Sequence, residues 1–600
     1  LINTRVGLDA SFAMGHTPPG TVDVISQSGG ILVHLRSALV AHGAGINTMW
    51  SLGNKMGVDE SRALEEIREQ GGSRVVVMYT EGVGDGRHLM EAIRKTSRDT
   101  PVVVLKGGRS QAGAEAARSH TGSLAGSAAV FDAAMDAAGA IVVKDEEQAA
   151  DVAALFAMQG PPRGDRLAVV TNGGGPGIVA TDNAELAGLR LARVDPDSLK
   201  VLDEELCRLG APFAGLAMPI DVVGDAGADR YKAALETCLK DPGTDCALVV
   251  LVAVGPAEMQ ETAREVARLA RQYGKPVVAS FMGGEQVEDG VRTLREHGVP
   301  AFSIPSRAVR ALGAAARWAD LQKARSESDD ASLLPPADPA RARAILEQAR
   351  ASGRENLDAE DVFELLRSYG IPVVASGLAR SADQAAAVAR CVGYPVALKI
   401  ASEQIVHKKD MDGKLQGDGR GVYLNVTDEA ELRQKYSAIV ESATRFRPDA
   451  TLDGVQVTAM ADQRDAWEVI VGCSQDRAFG PTLMFGWGGT YVETLGDVDF
   501  EVAPATPRQV ERELKTLKVG KLMEGQRGDK PANVKLLAAT AARFSQLMVD
   551  LADLLESVEV NPFLVYQGGT GTEGVVAVDG RAQLRRGHPG VRPERRQPLP

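Results

Sequence analysis

Cysteine is scarce in this 600-residue chain: only Cys207, Cys238, Cys246, Cys391 and Cys473 occur, and no two have CxxC spacing. That scatter excludes a disulfide framework and a thiolate zinc site, and it points to a reducing, cytoplasmic setting. Excess positive charge is also absent. The formal net charge is −13, which argues against a nucleic-acid partner, because no dominant basic face exists to meet phosphates. Long apolar runs are missing too; none approaches the ~18 residues needed to cross a bilayer, so no membrane role is expected. What is present is 44% hydrophobic residues, 24% charged residues and 64 glycines, the balance of a loop-rich α/β protein. Six hundred residues exceed a single core and imply roughly three or four domains. Leu1 is not a start methionine, so the chain reads as a fragment or as an alternative start.

Alternating strand and helix signals divide the chain. Residues 1–20 read as a remnant of a preceding segment. Over 21–160, the β-branched runs from Val22, Val75 and Val102 alternate with helical periodicity, the pattern of a parallel sheet covered on both faces. Residues 165–323 repeat that pattern. A Pro/Ser/Asp-rich stretch at 324–356 reads as a linker containing a short helical piece. Residues 357–583 mix helices with antiparallel-looking strands, and 584–600 form a basic, Pro-rich tail expected to be disordered.

Arg118–Gly126 (RSHTGSLAG) places His120 in a small, flexible segment. Such a histidine cannot pack a core, but it is nucleophilic near neutral pH and can later act as a leaving group. A solvated surface histidine is the ordinary alternative. Two strand–glycine–helix turns flank it: Ser28, Gly29 and Gly30 in the first block, and Asn172, Gly173, Gly174 and Gly175 in the second. Glycines let helix N-terminal amides approach an anion that the helix dipole favours, although such turns are also common packing devices. Glu81 ends a strand, where it can orient an imidazole; an exposed loop carboxylate is the alternative. Asp221 reads either as an acyl-pocket contact or as a cap for the following helix.

The third block carries a nucleotide-like set. Lys399 sits on an apolar strand, where lysine is rare unless it meets an anion. A glycine-rich turn with Gly419, Arg420 and Gly421 follows, and Glu468 precedes another strand. Asn561 and Asp579 lie on consecutive strands with the oxygen chemistry that suits magnesium.

Taken in order, SQSGG, RSHTGSLAG, TNGGGPG, ALKIASEQIVHKKD and EVNP resemble the NDP-forming acyl-CoA synthetase superfamily, the ADP-forming acetate–CoA ligases most closely. The resemblance implies an α/β fold of two consecutive flavodoxin-like, succinyl-CoA synthetase-like parallel-sheet domains followed by an ATP-grasp domain. It implies an acid–thiol ligase that interconverts a small carboxylic acid, CoA and ATP with acyl-CoA, ADP and phosphate through a phosphohistidine. On that resemblance His120 is the phosphorylated residue, Glu81 its orienting carboxylate and His407 a second histidine that relays phosphate. Lys399, Gly419, Arg420, Gly421 and Glu468 bind ATP, and Asn561 and Asp579 bind Mg2+. Homo-oligomers are expected.

Two departures stand out. The segment after His407 is longer and more polar than the family pattern. The CoA-binding domain that precedes the first block in such enzymes is not seen, so CoA binding is expected to need a separate domain or subunit. Two alternatives to the ligase are a related ATP- and CoA-dependent lyase and a module that senses acyl-CoA and nucleotide.

Overall fold

The computed structural model describes residues 1–586 apart from 12–14, 111, 114, 116–126, 255–257, 327–332, 403, 406–419, 462–464, 490–494, 526–528 and 570–573. The chain divides into two compact units, Leu1–Ser328 and Asp329–Pro600.

The first unit contains two parallel sheets. In the first, strand order runs Leu8–Asp9, Ile2–Asn3, Ile46–Ser51, Pro19–Ser26, Val75–Thr80, Val102–Lys106, Ile141–Val143. The last five are parallel, and in chain order they read 2-1-3-4-5, the flavodoxin-like arrangement. Helices cover both faces, so the central strands carry uninterrupted apolar runs such as the fully buried Val75, Val76 and Val77.

The second sheet repeats the order. Strand Arg166–Thr171 has Arg190–Leu191 and Ile220–Asp221 as partners, and also Cys246–Val252; Val277–Met282 and Ala301–Phe302 follow outward. One continuous core includes Leu32, Leu35 and Leu39 of helix Gly29–Ala41, Ala180 and Ala184 of helix Gly174–Leu186, and Leu312 and Ala315 of helix Pro305–Ser326. In each sheet the chain order reverses beside the first strand. The crevice at the strands' carboxyl ends there is the usual ligand site of such folds.

The second unit is built from antiparallel sheets. A four-stranded sheet runs Ser376–Ala379, Gly454–Ala459, Val396–Ala401, Val422–Val426. Val396, Leu398, Ile400, Val455 and Val457 pack against helices Ala382–Val392 and Glu429–Phe446. The period of two along a strand puts Lys399 and Gln456 on the opposite face. A larger sheet runs Val498–Val502, Gly480–Trp487, Ala466–Asp476, Leu555–Tyr566, Val575–Ala577, with Gly580–Leu584 also paired to Leu555–Tyr566. Helix Val534–Asp550 covers it.

Part of the stretch 324–356 is helical. Helix Pro339–Ala351 occupies much of it and buries Ala342, Leu346 and Ala349 in the core of the second unit. The Asp-Pro pair there begins a helix: Asp338 accepts a hydrogen bond from Arg341 N, and Pro339 takes a first-turn position where its missing N–H costs nothing.

Candidate functional site

At the first crevice, the loop after strand Pro19–Ser26 is held by side chains bonding to backbone. Ser26 Oγ donates to Ser28 O (2.7 Å) and accepts from Ser28 N (3.1 Å). Gln27 Oε1 accepts from Glu81 N (2.8 Å), which ties this loop to the end of the neighbouring strand. Gly29 and Gly30 open the helix that follows. The first amides of a helix have no partner within it, and a Cβ added at Gly29 would meet nothing within 4 Å. An approaching anion thus finds both open space and free donors.

Glu81 lies beside this loop at 8% exposure. Its Oε1 accepts from the Tyr79 hydroxyl (3.3 Å), while Oε2 is buried with no hydrogen-bond partner among the described residues. Burial and the neighbouring Glu81 carboxylate push the Tyr79 phenol up to about 12, so that hydroxyl stays a donor. Two lysines cap the carbonyls around Glu81. Lys106 Nζ donates to Glu81 O (2.7 Å) and Gly107 O (2.5 Å). Lys55, itself at φ 59°, donates to Gly82 O and Thr80 Oγ1 and pairs with Glu60 at 2.5 Å. Burial first, and then repulsion from Arg109 and Lys55, push the Lys106 ammonium down to about 8.

The second crevice repeats this construction. Thr171 Oγ1 donates to Gly173 O and accepts from Gly173 N, both at 3.0 Å. Asn172 takes the place of Gln27: its Oδ1 accepts from Val252 N (2.8 Å), and its Nδ2 donates to Val252 O (3.0 Å) and Gly224 O (3.3 Å). The Asn172 side chain is therefore committed to bridging strands, and the amides of Gly174 and Gly175 are what the turn offers to an anion. Asp221 does not cap the next helix, whose N-cap is Gly227. Its Oδ1 accepts from Val223 N (2.9 Å), holding a β-branched residue at φ 72°, a costly conformation that tends to occur at functional sites.

In the second unit, Lys399 is 6% exposed, and its Nζ lies 3.1 Å from Val578 O and 3.4 Å from Asp579 Oδ2. Glu559, Asn561, Asp579, Gly580 and Arg581 line a cavity of about 80 Å³. Asn561 Oδ1 accepts from Gly489 N (2.7 Å). Gly489 sits at φ 76°, and a Cβ there would fall 1.9 Å from Glu468 Oε2, so the Glu468 carboxylate occupies space that only glycine leaves free. Glu468 and Asn561 are thus brought together through one turn.

Of the expected site residues, Ser28, Gly29, Gly30 and Glu81 meet at the first crevice, and Asn172, Gly173, Gly174 and Gly175 at the second. Lys399, Glu468, Asn561 and Asp579 gather in the second unit. Arg420 and Gly421 precede strand Val422–Val426, and Gly421 O accepts from Ile400 N (3.1 Å) next to Lys399. His120, His407 and Gly419 lie outside the described residues. Sequence reasoning gave no separate role to Gln27, Lys55 or Lys106. The signal for Gln27 was present: a hydroxyl residue, an amide and then glycines follow the first strand of both blocks, as SQSGG and TNGGG.

Family models match three segments in order: a succinyl-CoA ligase like flavodoxin domain at 19–156, a Ligase-CoA domain at 167–325 and an ATP-grasp domain at 348–584. The acetate–CoA ligase (ADP-forming) I of Archaeoglobus fulgidus is 35% identical over 569 residues, covering 95% of this chain and 79% of that protein. The 4-hydroxybutyrate–CoA ligase (ADP-forming) of Nitrosopumilus maritimus is 33% identical over 572 residues, again 95% and 79%. Among solved structures, the dinucleotide-forming acetyl-coenzyme A synthetase 1 of Candidatus Korarchaeum cryptofilum, in complex with phosphate and ADP, is 31% identical. It covers 55% of this chain and 71% of that one, with a TM-score of 0.51. The chain belongs to the ADP-forming acyl-CoA ligases, which are acid–thiol ligases.

Proposed function

We propose that this chain joins a small carboxylic acid to CoA at the expense of ATP, through a phosphohistidine at His120. The observation that carries this reading is Glu81: a buried carboxylate oxygen without a partner among the described residues, beside helix amides open to an anion at the first crevice. A carboxylate in that position can accept the imidazole N–H and leave the other ring nitrogen as the nucleophile.

In the first step a His407 nitrogen attacks the γ-phosphorus of ATP, and the bond to the β–γ bridging oxygen breaks with its electron pair leaving on ADP; a His120 nitrogen then takes the phosphoryl group and frees the His407 imidazole. The carboxylate substrate then takes the phosphoryl group, releasing imidazole and giving an acyl phosphate. The CoA sulfur attacks the acyl carbon, and phosphate leaves. Gly29, Gly30, Gly174 and Gly175 hold the phosphoryl group through backbone amides, in turns shaped by Ser28, Gly173 and Asn172. Lys399, Arg420, Gly421 and Glu468 bind ATP together with Gly419, and His407 relays the phosphoryl group to His120. Asn561 and Asp579, with Glu559 lining the same cavity, form an oxygen donor set that suits magnesium, which when bound shields the phosphate charge of ATP.

The test runs the reaction in reverse. Acyl-CoA, ADP, phosphate and Mg2+, with a separate CoA-binding domain or subunit supplied, are expected to yield ATP, free acid and free CoA thiol, with a panel of short acyl groups ranking the acid. Nucleotide binding without any thiol release from any acyl-CoA would favour the sensing alternative.

A further inference from the structure

The first unit holds a cavity that the proposed reaction does not use. Its volume is about 340 Å³, within the ~300–1,000 Å³ of small-molecule sites. Helices Gly29–Ala41 and Glu146–Met158 line it from the first parallel-sheet domain. Helix Glu288–Glu296, strand Ala301–Phe302 and the start of helix Pro305–Ser326 line it from the second. Two guanidinium groups belong to this lining, and their surroundings differ. Arg307 is neutralised: its Nε and Nη2 donate to the buried Asp151 at 2.9 and 2.6 Å, and its Nη1 pairs with Glu147 at 2.8 Å. His42 Nε2 lies 3.1 Å from the same Asp151 carboxylate. Arg295 has no carboxylate partner among the described residues. It donates to two carbonyls, from Nη1 to Ala41 O (2.8 Å) and from Nη2 to Ala301 O (3.0 Å), while its Nε–H is buried without an acceptor. Burial first, and then repulsion from Arg307, push the Arg295 guanidinium below its ordinary range, so no opposing charge compensates it. A guanidinium carries five N–H groups, so three of those on Arg295 have no acceptor among the described residues and a two-pronged fork stays open.

An uncompensated guanidinium beside a cavity attracts an oxyanion, and its planar fork takes a carboxylate or phosphate through two parallel hydrogen bonds. Ala38, Ala41, Ala150 and Ala301 give the rest of the cavity a carbon surface. A bare inorganic ion would leave that surface uncovered, whereas an anion on a short carbon body covers it. We propose that the cavity beside Arg295 binds a small organic anion, a carboxylate or a phosphate ester, with its head group on the Arg295 fork and its carbon body against the alanines. Glu147 and Asp151 do not oppose it, because Arg307 already holds both carboxylates. The site is distinct from the phosphoryl crevice. Helix Gly29–Ala41 opens the crevice at Gly30 and reaches the cavity at Ala41, about 17 Å further along at ~1.5 Å per residue.

Succinate and glycerol 3-phosphate are the probes, titrated calorimetrically into the full chain. Saturable binding of at least one is expected, and the one that binds identifies the head group the fork prefers. Ala38→Phe fills the cavity from a half-exposed position. Arg295→Lys keeps the charge but not the fork. Each is expected to weaken binding tenfold or more, whereas Gly29→Ala, which narrows the crevice instead, is expected to keep it within threefold. Binding that survives both cavity variants, or that falls with Gly29→Ala alone, places the probe elsewhere and overturns the proposal, as does no saturable binding of either probe. The unmodified chain gives an independent reading should the variants not fold. The bound probe is expected to protect Arg295 from phenylglyoxal, scored on the peptide that carries it. Equal modification of Arg295 with and without saturating probe overturns the proposal.

Discussion

Glu81 keeps one carboxylate oxygen buried and unpaired among the described residues, a feature that costs about 1–3 kcal/mol when nothing fills it. Glu81→Gln is therefore expected to leave the melting temperature unchanged or raise it, while phosphohistidine formation falls about 10²-fold or more. Thermal melts and γ-labelled ATP read the two effects separately; a lower melting temperature with full labelling would make Glu81 a structural carboxylate. Lys106 makes a second residue-scale prediction through pH. As pH rises through about 8 it loses the proton with which it holds Glu81 O and Gly107 O, so turnover falls on that limb. Stability has the opposite sign. The folded value lies below the ~10.4 of an unfolded lysine, so between the two the unfolded chain binds more protons and the native state gains stability with pH. Lys106→Arg stays charged throughout and is expected to move the alkaline limb of kcat up by about one pH unit or more. An unmoved limb would assign it to another group.

The two strand–turn–helix elements act as a matched pair. Cβ atoms at Gly29 and Gly175 meet nothing within 4 Å, so alanine fits the ligand-free fold. Gly29→Ala and Gly175→Ala are expected to be neutral or to stabilise by roughly 0.4–1 kcal/mol through the unfolded chain. On the proposed function each methyl group stands in the approach of the phosphoryl group, so phosphoryl transfer should drop at least tenfold. Loss of stability with normal transfer would mean that these turns serve packing. Both turns were legible in the sequence because glycines directly follow apolar runs. The part played by Asn172 was not, because a spacing does not show where a side chain points; its amide spans to Val252 and Gly224. Gln27 stayed hidden for a related reason. Its partner, Glu81 N, belongs to a strand distant in sequence that becomes a neighbour only once strand order is known. The burial of helix Pro339–Ala351 was hidden because Asp, Pro and Arg serve capping and solvation there while the buried Ala342, Leu346 and Ala349 are sparse.

At the scale of the whole chain, alternation of strand and helix implied two parallel sheets and then an antiparallel block, and those are the sheets observed. The reversal of strand order beside Pro19–Ser26 and Arg166–Thr171, which creates both crevices, has no signature in local periodicity. The proposed nucleotide site draws Lys399, Glu468 and Asn561 from three separate strands and Asp579 from the turn between two more; the residue types marked them out one by one, and the family resemblance joined them into a site. The central claim is that a phosphoryl group from ATP rests on His120. The most direct measurement is incubation with magnesium and γ-labelled ATP, wild type beside His120→Ala, scoring acid-labile, base-stable label on the protein. Label on the His120 peptide of the wild type that is missing from that peptide in His120→Ala is the expected result; wild-type label confined to other peptides, or none on a wild type that binds ATP, would contradict it.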